Sequence, residues 1–370
     1  MGASACWYLA KRNLKVLGLE QFDIPHEQGA HAGQSRIIRK AYYEHSNYVA
    51  LLDRAYHNWK EIEQQTSSKL YYKTGLLYFG DPASVLIKGT RETAEQYNLP
   101  LDVLSAKDAS ERFPQVKFND HYQVLFEPDA GFITPEKSVA TYVTDAISRG
   151  ADIRGREKVI DWNYNGSHVT VKTDKGLYSA SKLVISAGAW TKNIVPKIPA
   201  ELTVTRQLIA WMNPADWSSF TLNNFPCWFT NDDDGNLFYG FPILPPNEFS
   251  GPVGLKLAHH KPGNKVDPDN VDRNIQPGEE VLLKNILERH FPGASGHVLT
   301  LKTCLYTNST DANFIIDHVP GTDSHVAIAT GFSGHGFKFS SVVGEILSDL
   351  IIDGKTNLPI DFLKLERFYK

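Results

Sequence analysis

The sequence predicts a mixed α/β fold with two parts, a domain that binds a dinucleotide and a second domain built on an antiparallel β-sheet. At 370 residues the chain exceeds the roughly 250 to 300 residues at which single cores stop growing, so two domains are expected. Its first 20 residues have the pattern of a helix followed by a strand that ends in an acid. Its central stretch alternates apolar and polar residues and is broken by Pro and Gly, which is typical of antiparallel strands.

The first element of the dinucleotide-binding part is a predicted helix over residues 1–13, followed by a strand over residues 15–20. This order matches the second half of a β-α-β unit, in which a glycine lets the helix pack closely and an acid about 20 residues later accepts ribose hydroxyls. Gly2 and Glu20 occupy these positions. The first strand and the first two glycines of G-x-G-x-x-G are not in this sequence, so we expect a cofactor domain that is incomplete in this chain.

Two later segments repeat the pattern of an apolar strand that ends in a turn of small residues. They cover residues 182–190 and 326–338, and the second leads into a helix over 340–350. Such strand ends face ligands in α/β sheets, which makes Gly188, Gly334 and Gly336 candidate cofactor-binding residues. The dinucleotide-binding domain is therefore assembled from separated pieces of the chain.

The antiparallel sheet is predicted from three strand-like stretches between those segments. These are residues 202–213, 237–242 and 253–260. In the last of them, Lys256, Ala258 and His260 alternate and therefore face the same side. One face of this sheet presents a cation and an imidazole.

Composition and charge exclude several classes of function. The chain has 38 basic and 42 acidic residues without a block of like charge, so we expect no nucleic-acid partner and no attachment to a membrane surface. No apolar run reaches the roughly 18 residues of a membrane span, and no signal peptide is recognisable. Three scattered cysteines and thirteen histidines form no disulfide framework and no metal site. A cytoplasmic protein that acts on a small molecule through a bound cofactor is the expectation.

Several motifs, in order over nearly the whole chain, resemble the monomeric sarcosine oxidase and N-methyltryptophan oxidase family. They are Ser35-Arg-Ile-Ile-Arg39, Tyr239-Gly-Phe-Pro242, Phe314-Ile-Ile-Asp317 and Gly331-Phe-Ser-Gly-His-Gly-Phe-Lys-Phe-Ser340. The resemblance implies an FAD-binding Rossmann-like domain of the p-hydroxybenzoate-hydroxylase type and a catalytic domain with an antiparallel sheet. The FAD domain is expected over residues 1–75, 134–200 and 300–370, and the catalytic domain over 76–133 and 201–299.

The resemblance also implies that FAD is attached covalently, through its 8α-methyl group, to Cys304. Taken alone, a cysteine in an apolar strand is more often inert packing. Attachment requires a thiolate, so positive charge is expected nearby, and Arg36 is a candidate source. Where the relatives have His-His-Gly-Asp, this chain has Ala32 and Gln34 in place of one histidine and the aspartate, which puts the linkage in question.

The cationic candidates are Arg36, Arg39 and Lys338. Arg36 and Arg39 are three residues apart, a spacing that on a helix places both on one face. The resemblance implies that Arg39 and Lys338 bind the substrate carboxylate, with His335 beside them, while Arg36 and Lys338 lie by the flavin. The alternatives are a pair of surface arginines and an exposed lysine at the start of a helix.

The catalytic candidates, besides Arg36, are Lys256, His260, Tyr239 and Tyr306. By resemblance, Lys256 lies above the flavin ring and stabilises superoxide as it forms. His260 is expected to contact the substrate amine beside the two tyrosines. A histidine hydrogen-bonded within the sheet is the alternative for His260.

Together these features and the resemblance predict an FAD-dependent oxidase of a secondary amino acid such as sarcosine or N-methyltryptophan. Hydride transfer to the flavin would be followed by reduction of O2 to H2O2 and hydrolysis of the imine, by a monomeric enzyme. The open alternatives are an oxidase of cyclic imino acids such as pipecolate or proline, a quinone-linked amine dehydrogenase, and a fragment that binds no FAD.

Overall fold

The computed structural model describes residues 1–369. Over this range it has eight α-helices: α1 (Gly2–Lys11), α2 (Tyr48–Thr66), α3 (Val85–Tyr97), α4 (Ala106–Arg112), α5 (Pro135–Ser148), α6 (Thr191–Ile194), α7 (Val281–His290) and α8 (Ser340–Asp353). In α2, buried residues recur every three or four positions, from Leu52 through Ala55 and Trp59 to Ile62, so one face of the helix packs into the core.

The same residues contain nineteen β-strands. They are β1 (Leu17–Leu19), β2 (Arg36–Ile38), β3 (Tyr71–Lys73), β4 (Leu76–Gly80), β5 (Asp102–Leu104), β6 (Gln123–Glu127), β7 (Gly131–Ile133), β8 (Asp152–Arg154), β9 (Val159–Tyr164), β10 (Val169–Thr173), β11 (Leu177–Ala180), β12 (Leu183–Ile185), β13 (Leu202–Asn213), β14 (Cys227–Asn231), β15 (Leu237–Phe241), β16 (Leu255–His259), β17 (His297–Ser309), β18 (Ile315–His318) and β19 (Val326–Thr330).

The largest sheet has eight strands in the order β17-β13-β16-β15-β14-β4-β6-β5. The three predicted strands are present in it as β13, β15 and β16, and they pair antiparallel with their neighbours. The sheet as a whole is mixed, because β14 pairs parallel with β4. The prediction of a mixed α/β fold in which these stretches form antiparallel pairs of one sheet is confirmed.

Two short parallel strand pairs lie outside the large sheet. β1 pairs with β8, and β12 pairs with β19, both in parallel. Helices α1 and α8 cross closely here, since a Cβ on Gly344 would lie 2.0 Å from Ser4 Oγ. Only a residue without a side chain allows this approach.

Separate apolar clusters fill the two sides of the molecule. One joins α1, α2 and α8 around Trp7 and Trp59, and another packs Trp228 and Phe291 beneath the large sheet. β17 crosses the predicted domain boundary at 299/300, and the proposed division remains a prediction. Among residues 1–369, no helix has the length and apolar character that crossing a membrane requires.

Candidate active site

A cavity of about 1650 Å³ runs from the parallel strands to the large sheet. It exceeds the roughly 300 to 1,000 Å³ of ordinary small-molecule pockets, so it has room for a large cofactor together with a substrate. The predicted cofactor residues in its wall are Gly2, Glu20, Arg36, Gly188, Gly334 and Gly336. The predicted substrate and catalytic residues in its wall are Arg39, Tyr239, His260, Tyr306, His335 and Lys338. Lys256 and Cys304 lie behind the wall.

The residues at one end of the cavity fit the nucleotide part of FAD. Helix α1 begins at Gly2 in the cavity wall, so its first N–H groups are available to negative charge. Glu20, directly after β1, accepts a hydrogen bond from Phe22 N–H at 3.0 Å. Burial acts to raise the pKa of Glu20, but hydrogen bonds from His26 and Phe22 outweigh it and hold that pKa below its usual value. An ionised acceptor at this position suits ribose hydroxyls.

Two glycines in the cavity wall have backbone conformations with positive φ. Gly188 has φ +52°, and a Cβ there would meet no atom within 4 Å. Gly334 has φ +80°, and a Cβ there would lie 2.3 Å from the ring of Tyr306. The first glycine borders the nucleotide end, and the second lets the loop after β19 approach the large sheet.

Arg39 is held by a carboxylate that the sequence analysis did not identify. Its Nη2 atom lies 2.6 Å from both carboxylate oxygens of Glu44, and its guanidinium stacks 4.2 Å from the ring centroid of Tyr42. Burial acts to raise the pKa of Glu44, but the charge and hydrogen bond of Arg39, together with His335 and Lys338, outweigh it and lower that pKa to about 2. The sequence does contain a signal for this pair, because Glu44 follows the arginine by five residues and comes directly after two tyrosines.

Lys338 and His335 lie on the same side of the cavity as Arg39. Lys338 is only 6% exposed, and its Nζ atom donates to His335 O at 2.8 Å, so the alternative of an exposed lysine is wrong. Burial, assisted by the charge of Arg39, lowers the pKa of Lys338 to about 7. The imidazole of His335 lies between Tyr42 Oη at 2.6 Å and Ala312 O at 3.0 Å. Burial lowers its pKa to about 4, so it is neutral at pH 7.

His260 lies among aromatic rings at the other wall of the cavity. Its Nδ1 atom is 3.5 Å from Tyr306 Oη, and its ring centroid is 5.9 Å from that of Tyr239 and 5.6 Å from that of Phe229. Burial lowers the pKa of His260 to about 3, which keeps the imidazole neutral. Phe229 lines the cavity, whereas its neighbour Trp228 lies in the core, where its ring centroid is 4.5 Å from that of Phe291.

The expectation that Arg36 and Arg39 share a helical face is wrong. Arg36 begins strand β2, and Arg39 follows directly after that strand. β2 pairs antiparallel with β7, and this pairing holds the segment extended. Both arginines nevertheless line the cavity, and the guanidinium of Arg36 donates to the carbonyls of Ala30, Ala32 and Ser35.

Lys256 is buried on the same side of the large sheet as Trp211 and Phe241. Its Nζ atom lies 4.3 Å from the ring centroid of Phe241 and donates to Gly33 O at 2.5 Å and to Ser35 O at 2.6 Å. Burial, assisted by the charge of Arg36, lowers its pKa well below the usual value. The predicted catalytic lysine therefore depends on a loop that is remote in sequence.

Cys304 is buried in β17, with Leu305 and Tyr306 next to it in the cavity wall. Burial raises the pKa of its thiol, and the nearby charges of Arg36 and Lys256 act in the opposite direction. The expected positive charge is therefore present, but burial has the larger effect. Among residues 1–369, no cluster of three or more metal-ligating side chains occurs.

Comparison with known proteins gives a consistent family assignment. The model of the family described as FAD dependent oxidoreductase matches residues 1–350. Monomeric sarcosine oxidase from Bacillus sp. (strain B-0618) is 37% identical over 373 residues, which cover 99% of this chain and 93% of that protein. N-methyl-L-tryptophan oxidase from Salmonella dublin is 33% identical over 374 residues, covering 100% of this chain and 96% of that protein.

Solved structures share the fold. NikD, an unusual amino acid oxidase essential for nikkomycin biosynthesis, superposes with a TM-score of 0.85 at 24% identity and covers 98% of this chain and 94% of its own. Glycine oxidase from Geobacillus kaustophilus gives a TM-score of 0.80 at 18% identity, with 100% and 96% coverage. At these identities the likeness is one of fold.

Proposed function

The chain belongs to the family of FAD-dependent oxidoreductases, and we propose that it oxidises the C–N bond of a secondary amino acid, of which sarcosine and N-methyltryptophan are the first candidates. The named activities of its relatives support this substrate class. The observation that carries the proposal is a pair of buried cations, Arg39 and Lys338, in the wall of one cavity that also contains His260. Such a pair suits the carboxylate of a small amino acid.

When bound, FAD would accept a hydride from the substrate and pass the electrons to O2, which yields H2O2 and an imine that water hydrolyses. Gly2, Glu20 and Gly188 would hold its nucleotide part, and Arg36, Gly334, Gly336 and Lys338 would border the flavin. Arg39 and Lys338 would clamp the substrate carboxylate, with His335 holding Lys338 in place. Fixing the substrate in one orientation would contribute much of the rate.

The neutral residues of the cavity would handle the substrate amine. His260 has a pKa of about 3, so at pH 7 its imidazole can accept or donate a hydrogen bond without repelling a cationic amine. Tyr239 and Tyr306 flank it, and burial raises the pKa of both tyrosines, so they act as neutral hydrogen-bonding groups. Lys256 would favour the reaction with oxygen, because a buried cation stabilises superoxide.

The test is to load the purified protein with FAD and to mix it without oxygen with sarcosine, N-methyl-L-tryptophan, L-proline or L-pipecolate. We expect the flavin absorbance to bleach with an N-methyl amino acid and peroxide to form in stoichiometric amounts when air is admitted. Bleaching by L-proline or L-pipecolate alone would identify a cyclic imino-acid oxidase. Reoxidation by a quinone but not by oxygen would identify a dehydrogenase, and failure to bind FAD would refute the proposal.

We also propose that FAD is joined to Cys304, which lies next to two residues of the cavity wall, and that the enzyme is a monomer, which the name of monomeric sarcosine oxidase supports. A denaturing gel of the wild type should show a fluorescent flavin band that is absent in Cys304→Ser, with Cys227→Ser as the matched control. Free flavin released by denaturation of the wild type would contradict the linkage. Size-exclusion chromatography with light scattering would test the monomer, for which the mass is 41.4 kDa.

A further inference from the structure

The loop Gly33–Ser35, which precedes β2, has an unusual backbone. Gly33 has φ +112° and Gln34 has φ +72°, so two successive residues lie in the left-handed region. Gln34 is not a glycine, and a side chain is rarely tolerated in this region without compensating contacts. The loop must therefore be held by its surroundings.

Two opposite charges hold this loop. On one side, Glu136 Oε1 accepts from Gly33 N–H at 2.7 Å and from Gln34 N–H at 3.0 Å. On the other side, Lys256 Nζ donates to the carbonyls of Gly33 and Ser35. Successive N–H groups in this geometry form an anion-binding concavity, and here the anion is a side chain of the protein itself.

The topology explains how Glu136 reaches the loop. β7 pairs with β2 in a register that places Ile133 opposite Arg36. Helix α5 begins directly after β7, so its first turn lies beside the residues that precede β2. Glu136 is the second residue of that helix, where a carboxylate is also favoured by the helix dipole.

We propose that Glu136 is a positioning residue for Lys256, which it orients through the loop Gly33–Ser35. This inference rests on the proposed function only in the role that it gives to Lys256. The peptide unit that joins Gly33 to Gln34 has its carbonyl on Lys256 and its N–H on Glu136, so Glu136 fixes the direction in which this carbonyl points. Gln34 adds to the hold, since its Oε1 accepts from Trp211 Nε1 at 3.2 Å.

The charge of Glu136 has a second effect on the lysine. Burial and then Arg36 lower the pKa of Lys256, whereas Glu136, Cys304 and Cys227 act to raise it. These are the titratable groups that face Lys256 from α5, β2, β17 and β14. Removing the charge of Glu136 should therefore make the ammonium lose its proton at a lower pH.

The first measurement uses the protein alone. Hydrogen–deuterium exchange of the peptide spanning residues 30–36 should become faster in Glu136→Ala and remain at the wild-type rate in Asp53→Asn. Asp53 is an exposed acid that pairs with Lys40 on the surface, so its change controls for the loss of one charge. Unchanged exchange in Glu136→Ala would contradict the hold on the loop.

The second measurement uses FAD-loaded protein that is reduced with dithionite and then mixed with oxygen, so its reoxidation step needs no amine substrate. In Glu136→Gln, which keeps the shape of the side chain, we expect reoxidation to slow about tenfold. The rate of reoxidation should decline at high pH, and in the variant this decline should occur at a lower pH than in the wild type. Flavin reduction by the substrate should change by less than about twofold. Equal slowing of both half-reactions, or no slowing, would overturn the inference.

Lys256→Met separates this inference from the proposed function. If its reoxidation is as fast as that of the wild type, the role of Lys256 is wrong. If reoxidation is slow in Lys256→Met but not in Glu136→Gln, the role of Lys256 is supported and that of Glu136 is refuted. Absence of bleaching by every amine would refute the substrate proposal and leave this measurement intact.

Discussion

At the scale of single residues, the charges beside Arg39 decide what the cavity binds. The guanidinium and the carboxylate of Glu44 cancel, because the pKa of Glu44 is about 2. His335 and His260, with pKa values of about 4 and about 3, are neutral. Lys338, with a pKa of about 7, therefore sets the net charge of this end of the cavity near physiological pH.

The binding of a simple carboxylate should follow the protonation of Lys338. Acetate stays ionised above about pH 5, so the pH dependence of its dissociation constant reports on the protein. Lys338 is protonated below its pKa of about 7, and above it the affinity should fall by up to about tenfold per pH unit. Calorimetric titration measures this, and Lys338→Arg, which keeps its charge, should remove the decline. The same decline in Lys338→Met would contradict the assignment.

Glu44→Gln should destabilise the protein, because it leaves the guanidinium of Arg39 buried without a counter-charge. The expected loss is about 3 kcal/mol of unfolding free energy, and acetate should restore part of it by binding Arg39. The folded-state pKa of Glu44, about 2, lies below the ordinary value of 4.5 for a glutamate side chain. The stabilisation is therefore present above about pH 4.5 and is lost as the pH falls towards 2. Urea unfolding of both proteins tests this, and equal stabilities at pH 7 would contradict it.

At the scale of elements, the sequence was sufficient to predict those strands and helices whose structure is decided by local periodicity. The strand predicted over residues 202–213 has those bounds, and the helix predicted over 340–350 begins at residue 340. The error at Arg36 has a non-local cause, since β2 is a strand through its pairing with β7, far along the chain. Glu44 was missed for a different reason: the turn after β2 brings it back to Arg39, and the spacing of the two residues does not by itself predict this turn.

The crossing of α1 and α8 should tolerate no added methyl group. In Gly344→Ala the new Cβ would lie 2.7 Å from the backbone carbon of Ser4, so the helices must separate. Overpacking of this kind costs about 1 to 3 kcal/mol, which urea unfolding would measure. FAD affinity should weaken too, because α1 begins in the cavity wall. Ile147→Ala, at an exposed position of α5 outside the cavity wall, is the control, and unchanged stability of Gly344→Ala would refute the expectation.

At the scale of the whole molecule, the cavity is assembled from segments near both ends and the middle of the chain. Glu20 follows β1, Gly188 follows β12, and Gly334 follows β19, and all three line one cavity. Each segment was recognisable from its own sequence as a strand end that faces a ligand. The distances between these segments depend on sheet pairing that a local pattern does not encode. The same holds for the position of Lys256 and Cys304 behind the cavity wall.

This arrangement predicts that the two ends of the cavity bind different parts of FAD. In Cys304→Ser, which cannot form the proposed covalent link, FAD at about one hundred times its dissociation constant should raise the unfolding free energy by about 2.7 kcal/mol. The following change is made in this background. In Glu20→Gln, loss of a charged acceptor for the ribose should weaken FAD by about tenfold or more. Riboflavin lacks the adenosine that Glu20 is proposed to contact, so its affinity should stay the same. Thermal-shift titrations measure both ligands, with the exposed Glu27→Gln as control. Equal weakening of riboflavin would mean that Glu20 supports the whole cavity rather than the nucleotide end.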